Sequence, residues 1–219
     1  MRGDGHYYLY AGKMTVSGNM DFNKKKINRM KKIIFILITL FTALGLMAQS
    51  HYKVDPAHTS VNFKVKHSGI TFVNGRFEKF DGGIIGNMDN IEEARIFFNV
   101  ETSSVYTSVP MRDDHLRSAD FFDVEKFPVM TFESTAIEKV NENKYKLHGK
   151  LQIKDVTRDV TFDVYYGGVV KGEDGAETVG FIAKNKINRI DYNVAYDPDG
   201  LGIGKDVSIT LYLEFKSAL

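Results

Sequence analysis

Apolar side chains recur at every second residue through most of the chain, and few folds accept that period over such a length. Val61, Phe63 and Val65 alternate with Asn62, Lys64 and Lys66, as expected of a strand with one buried face. Ile96, Phe98 and Val100 repeat the pattern, as do Tyr145, Leu147, Gly149, Leu151 and Ile153. Val160, Phe162, Val164 and Tyr166 follow, and Val207, Ile209, Leu211, Leu213 and Phe215 close the chain. With the segments 72–80, 130–136 and 179–187 this makes about eight strands. Turn signals are read at Asp81-Gly82-Gly83, Asn141-Glu142-Asn143, Gly172-Glu173-Asp174-Gly175 and Asp197-Pro198-Asp199-Gly200. The expected layout is a meander of hairpins.

An eight-stranded antiparallel sheet has two edges to hide, and closing on itself removes both. The fold class is therefore all-β, an eight-stranded antiparallel barrel of lipocalin-like size whose interior either fills with side chains or admits one ligand. A sandwich shares the alternation, so the strand pattern alone leaves it open.

The N-terminus reads differently. Lys31 and Lys32 precede the apolar run IIFILITLFTALGLM, residues 33–47, with Ala48 before Gln49. That is a signal-peptide pattern, shorter than the roughly 20 residues of a spanning helix, with a signal anchor as the other reading. Residues 30–48 are assigned to it, with Met30 as the expected start and 1–29 as an upstream extension or long n-region without a fold. Cleavage near Ala48 leaves residues 49–219 as one periplasmic or secreted domain. Residues 1–48 hold eight of the 29 Lys and Arg and two of the 28 Asp and Glu, so the remainder carries 21 basic and 26 acidic residues, a net −5. Such a domain has no overall electrostatic reason to bind nucleic acid or an anionic membrane. With no cysteine there is no disulfide, thiolate metal site or lipidated N-terminal Cys.

Residues 106–127 break the period. Pro110 suits a first helical turn, with Thr107 or Ser108 available as a cap. Asp113 and Arg117, four apart, would form a helix-surface pair worth a few tenths of a kcal/mol. Met111, His115, Ala119 and Phe122 would form a stripe able to cover one end of a barrel. Asp113, Asp114 and His115 invite an acid-base or metal reading, but neighbours on a helix point to different sides. His51, His58, His67 and His148 show no metal-ligand spacing, and there is no nucleophile elbow or phosphate loop. Gly82-Gly83 and Gly167-Gly168 are read as turns or bulges.

Several stretches carry a resemblance. HLRSADFF followed by FPVMTFEST, residues 115–122 and 127–135, is similar to the central signature of the YceI-like family. Within and beside it Arg112, Asp114, His115, Leu116, Asp120, Phe121, Phe122, Pro128 and Phe132 match. YKVDPAHTSVNFKVKH, residues 52–67, resembles the family's opening strand through Asp55, His58, Ser60 and Phe63, with Tyr52 where many members carry Trp. Gly75, Phe77 and Phe80 resemble its second strand, and HGKLQIKDVTRDVTFDV, residues 148–164, a later strand and turn. Ile187-Asn188-Arg189 fits, whereas Ile190 and Asn193 replace the small Ser and Gly expected there.

The resemblance implies a tunnel down the barrel that holds a polyisoprenoid or similar long-chain lipid, with a short helical lid. Chain contacts are expected from Phe63, Phe77, Phe98, Phe132, Leu147 and Phe162, and at the lid from Met111, Leu116, Phe121 and Phe122. Head-group contacts would fall to Arg112, His115, Arg117, Asn188 and Arg189. No cofactor beyond a bound polyprenyl or quinone-like chain is expected. The partners allowed are that lipid, a transiently touched membrane and a second copy in a homodimer. The function expected is non-catalytic sequestration or transport. Two other readings stand beside it: a lipid-modifying hydrolase or isomerase using His115 with Asp114, and a packed barrel serving as a structural module.

Overall fold

The computed structural model describes residues 50–218; the signal-peptide assignment and the 1–29 extension lie outside the described residues. The alternation folds as expected into antiparallel strands, β1 (His51–Val54), β2 (Ser60–His67), β3 (Thr71–Phe77), β4 (Phe80–Ile85), β5 (Arg95–Glu101) and β6 (Val105–Tyr106). One helix follows, α1 (Pro110–Arg117), and then five long strands, β7 (Val129–Asn141), β8 (Lys144–Ile153), β9 (Val156–Lys171), β10 (Glu177–Asn188) and β11 (Ile203–Ser217).

These pieces occupy eight positions of a closed barrel. β11 pairs with β10 on one side; on the other it pairs with β2 along its first half and with β1 along its last residues. β1 and β2 thus share one position. β3 and β4 share the next, β4 against β1 and β3 against β2, and β5 with β6 share the third. β7, β8 and β9 complete the ring. Closure leaves no sheet edge to cover, and it excludes the sandwich.

The break in the second position is not at Asp81-Gly82-Gly83, where a turn is read from sequence, but at Glu78-Lys79. There the Ser104 hydroxyl accepts from the Lys79 amide at 3.0 Å and donates to the Glu101 carbonyl at 2.6 Å, pinning the kink. Gly82 and Gly83 lie inside β4 because a side chain has no room: a Cβ on Gly82 would sit 2.4 Å from the Phe98 ring, and one on Gly83 2.8 Å from the Tyr52 carbonyl. Gly167-Gly168 is a bulge as read, with Gly168 at φ +104 and a register shift against β10 beside Gly180.

α1 is short, and its cap differs from the expectation. Val109 is the N-cap residue and no side chain bonds there; Ser108 is at φ +66, and Thr107 faces Asp113 instead. Leu116 packs against the core, whereas Met111 and Ala119 of the expected stripe are exposed. The stripe fails because the helix ends at Arg117, so Phe121 and Phe122 reach inward from the turn that follows.

Candidate functional site

The barrel interior is hollow. A cavity of ≈ 210 Å³ runs through it, walled almost entirely by hydrocarbon and aromatic side chains of every barrel position together with Leu116, Phe121 and Phe122. Its openness has a local cause in aromatic–glycine contacts. Phe63 lies against Gly75, Phe98 against Gly82 and Phe132 against Gly149, with a Cβ on any of these glycines 2.2–2.4 Å from the ring. Each ring lies along the wall where a larger neighbour would push it into the lumen. The rings also brace one another, Phe63 on Phe77 at 5.6 Å, Phe77 on Phe122 at 5.6 Å and Phe132 on Phe162 at 5.4 Å between centroids.

The two ends differ. The base, at the hairpin turns 142–143 and 172–176, is sealed by buried side chains: Ile84, Ile91, Tyr145, Phe181 and Phe215 all line the cavity there. Toward the opposite end the lining residues Phe63, Val65, Leu116, Phe122, Ile187, Ile203 and Val207 are half-buried, beside the buried Phe121, Tyr192 and Val194. This end is the mouth, set between the β2–β3 hairpin, α1 and the loop 193–202.

The polar residues at the mouth are occupied. Arg189 is buried, and its five N–H groups reach five carbonyls: Gly204 at 3.0 Å, Val194 at 2.8 Å, Tyr196 at 2.5 Å, and Asp197 and Ile203 at 2.8 Å each. Burial lowers its pKa below the usual guanidinium value, opposed by Asp197. Arg189 is therefore a staple for the loop 193–202 rather than a head-group ligand. Arg117 donates to the carbonyls of Ser103 at 2.8 Å and Val105 at 3.2 Å, and to Asp114 at 2.8 Å. The expected Asp113–Arg117 pair does not form, because Asp113 is buried and accepts from the Thr107 amide at 2.8 Å and from the Thr107 hydroxyl. Arg112 closes this group, donating to the Thr107 hydroxyl and carbonyl at 2.7 Å each. Among the described residues no buried side-chain polar atom lacks a partner. No buried polar group here waits for an anionic head group.

His115 is likewise committed, with Nε2 2.9 Å from Asp120 and its ring packed edge-on against Phe121 and Tyr196. Asp114 is exposed and held by Arg117, so the His115–Asp114 pair required by the catalytic alternative is not assembled. The packed-barrel alternative fails on the cavity itself.

Of the residues read from sequence, Phe63, Phe77, Phe98, Leu116, Phe121, Phe122, Phe132, Leu147, Phe162 and Arg189 line the cavity. Met111, Arg112, His115, Arg117 and Asn188 do not; Met111 is 80% exposed, and Asn188 accepts from the Ile190 amide at 3.0 Å to start a 3-10 turn. Missed were the inward face of β11, whose alternation carried the signal, and Ile91, Tyr192 and Val194, which sit in turns where no period marks them.

A second cluster joins residues that no spacing connects. Asp55, His58 and Glu214 bring their ligand atoms within 4.8 Å of one another. His58 lies in the turn between β1 and β2, not on a strand with His67. Lys216 also reaches Asp55, at 2.6 Å. This lysine, then His58 and the Ala57 amide, hold the Asp55 carboxyl well below the usual carboxylate range. The network ties the β1–β2 turn to β11.

Comparison with known proteins gives a consistent result. Residues 52–215 match the family model of the YceI-like domain. A UPF0312 protein of Staphylococcus aureus is 36% identical over 171 residues, 76% of this chain and 97% of that protein. The crystal structure of a Campylobacter jejuni YCEI protein, 35% identical, superposes with a TM-score of 0.64 over 75% of this chain and 96% of that one. A polyisoprenoid binding domain from Saccharophagus degradans shares the fold, with a TM-score of 0.58 at 16% identity over 76% of this chain and 98% of that one.

Proposed function

The chain belongs to the YceI-like family, and from that premise we propose that its barrel holds the tail of a long-chain isoprenoid or similar amphiphile, for sequestration or transport and without catalysis. The observation that carries this is the apolar cavity that runs through the barrel interior, lined by side chains from every barrel position. A solvent-sized site needs about 10–15 Å³ of such space, so the cavity has room for on the order of 15–20 heavy atoms, or about three to four isoprene units. Each buried methylene is worth about 0.8 kcal/mol, and thus roughly 4 kcal/mol per isoprene unit. Such a tail offsets an association cost of about 4–15 kcal/mol with roughly one unit at the low end of that range and with a filled tunnel at the high end.

The head group is the finer part of the reading. The guanidinium groups at the mouth are all engaged within the fold, so a diphosphate would find no ready bidentate clamp there. A neutral or weakly polar head, such as a polyprenol hydroxyl or a quinone ring, left at the opening suits the site better. Residues 30–48 support export, and the mature protein is then periplasmic or secreted, beginning near Gln49.

A titration with polyprenols or quinones of increasing tail length tests the proposal. Affinity should rise by about two to three orders of magnitude for each added isoprene unit and level off once the tunnel is full. Affinity independent of tail length, or no uptake at any length, contradicts it.

A further inference from the structure

We propose that the mouth rim is a docking surface for an anionic lipid bilayer, with Ile70 and Leu201 as its inserting tips. The inference takes only the position of the mouth from the carrier reading. Ile70 ends the three-residue turn between β2 and β3, in which Ser68 and Gly69 both have positive φ, at 47° and 73°. That conformation is a tight, rigid hairpin turn, normally closed by polar residues. Here it leaves Ile70 88% exposed. Leu201, 80% exposed, follows the turn closed by the Gly200 amide on the Asp197 carbonyl at 3.0 Å. The two tips belong to one rim, because the Ser68 amide donates to the Gly202 carbonyl at 2.8 Å.

Charge complementarity selects the occupant. Lys64 and Lys66 point outward from β2, and Lys205 packs its chain against Gly200, next to Leu201. Among the described residues none of the three forms an ion pair. Lys64 instead lies over the exposed Phe72 ring at 4.7 Å. On the acidic side, the Asp197 carboxylate is turned onto the Gly202 and Ile203 amides at 2.8 and 2.7 Å, and Asp206 is paired with Lys186 at 2.5 Å, which leaves Asp199 as the remaining carboxylate on that loop. A domain of net charge −5 thus carries three lysines without ion pairs beside its two apolar tips. Apolar insertion flanked by lysines is what holds a peripheral protein on anionic lipid. Docked this way, the tunnel would open toward the acyl chains, and a ligand could pass without crossing water.

The test is vesicle co-sedimentation of residues 49–219, a unit of the kind that makes up 97% of the Staphylococcus relative. Binding should be strong to phosphatidylcholine mixed with phosphatidylglycerol, weaker to phosphatidylcholine alone, and reduced by salt. Ile70→Glu with Leu201→Glu should lower it about tenfold or more. Lys66→Gln and Lys205→Gln should each lower it roughly fivefold, a second route that leaves the tips intact. Val170→Glu, at an exposed site by the base, should change nothing. Tail uptake from detergent should survive in every variant, which separates a failed rim from a failed tunnel. The proposal is overturned if the unaltered protein ignores anionic vesicles, or if the tip variant binds them as well. It is also overturned if the tip variant changes only the oligomeric mass in solution, which would make the rim a contact between copies.

Discussion

The barrel has a base and a mouth built from the same alternating strands, yet the two are closed by different physics. At the base, side chains do the sealing. Ile84, Val179 and Phe215 are buried, and the Tyr52 hydroxyl donates to Glu177 at 2.6 Å while Lys171 holds the same carboxylate at 2.9 Å. At the mouth, backbone does the shaping, gathered by the buried guanidinium of Arg189 and the Asp113–Thr107–Arg112 group. A seal made of packed side chains sets how deep a ligand can go, and a rim made of stapled loops leaves an opening of fixed shape.

The largest expected effect breaks the mouth. Arg189→Leu leaves five carbonyls without their donors and should cost about 3–5 kcal/mol in urea unfolding. A loss near 1 kcal/mol would show that the loop 193–202 does not depend on this residue.

Filling the tunnel between the two ends should cost less. Gly149→Val places a Cβ 2.4 Å from the Phe132 ring and 2.5 Å from the Glu133 carbonyl, and should destabilise by about 1–3 kcal/mol. It should also shorten the tail the protein takes up, as read from the same chain-length titration. Unchanged capacity would mean the aromatic–glycine pairs do not keep the lumen open.

Within the lid, Asp113 and Asp114 sharpen the comparison. Asp113→Ala strands the buried Thr107 amide and should cost about 1–3 kcal/mol. Asp114→Ala, losing only an exposed pair, should fall within about 0–1 kcal/mol. Equal effects in thermal unfolding would contradict the placement of Asp113.

A small effect belongs to the base. Tyr52→Phe removes one hydrogen bond, for about 0.5–1.5 kcal/mol. The bond to Tyr52, then Lys171, lowers the Glu177 pKa from 4.5, so its contribution is present above that pH and fades as pH falls toward the folded value. Burial and Glu177 push Tyr52 up from 10.0 to about 12, so the hydroxyl's contribution is complete below 10 and lost as pH rises through 12. Tyr52→Phe should flatten both arms of the stability–pH curve, and an unaltered acid arm would separate Glu177 from the seal.

Much of the barrel was legible in the sequence because a two-residue period states directly which side chains face inward. Phe132, Leu147 and Phe162 fall on faces read that way, and so do the antiparallel strands, whereas barrel over sandwich rested on edge closure and the family resemblance. What escaped depends on partners distant in the chain. Gly82-Gly83 signals a turn by local rules, and only the rings of Phe97 and Phe98 across the ladder make it strand. Arg189 and Arg117 read as head-group candidates because a sequence does not show which carbonyls a guanidinium will meet. Asn193, which replaces an expected Gly, turns out to hold φ 58°, a left-handed conformation that Asn tolerates better than most residues, while its amide donates to Asp155 at 3.0 Å. The Asp55–His58–Glu214 cluster needed β1 to meet β11.

The central claim is that the cavity is a lipid tunnel open at one end. Native mass spectrometry of the purified domain tests it most directly. The expected result is a retained mass that dissociates as one apolar long-chain molecule and is lost or shortened in Gly149→Val. A domain that is reproducibly empty, and stays empty after exposure to polyprenols and quinones, would contradict it.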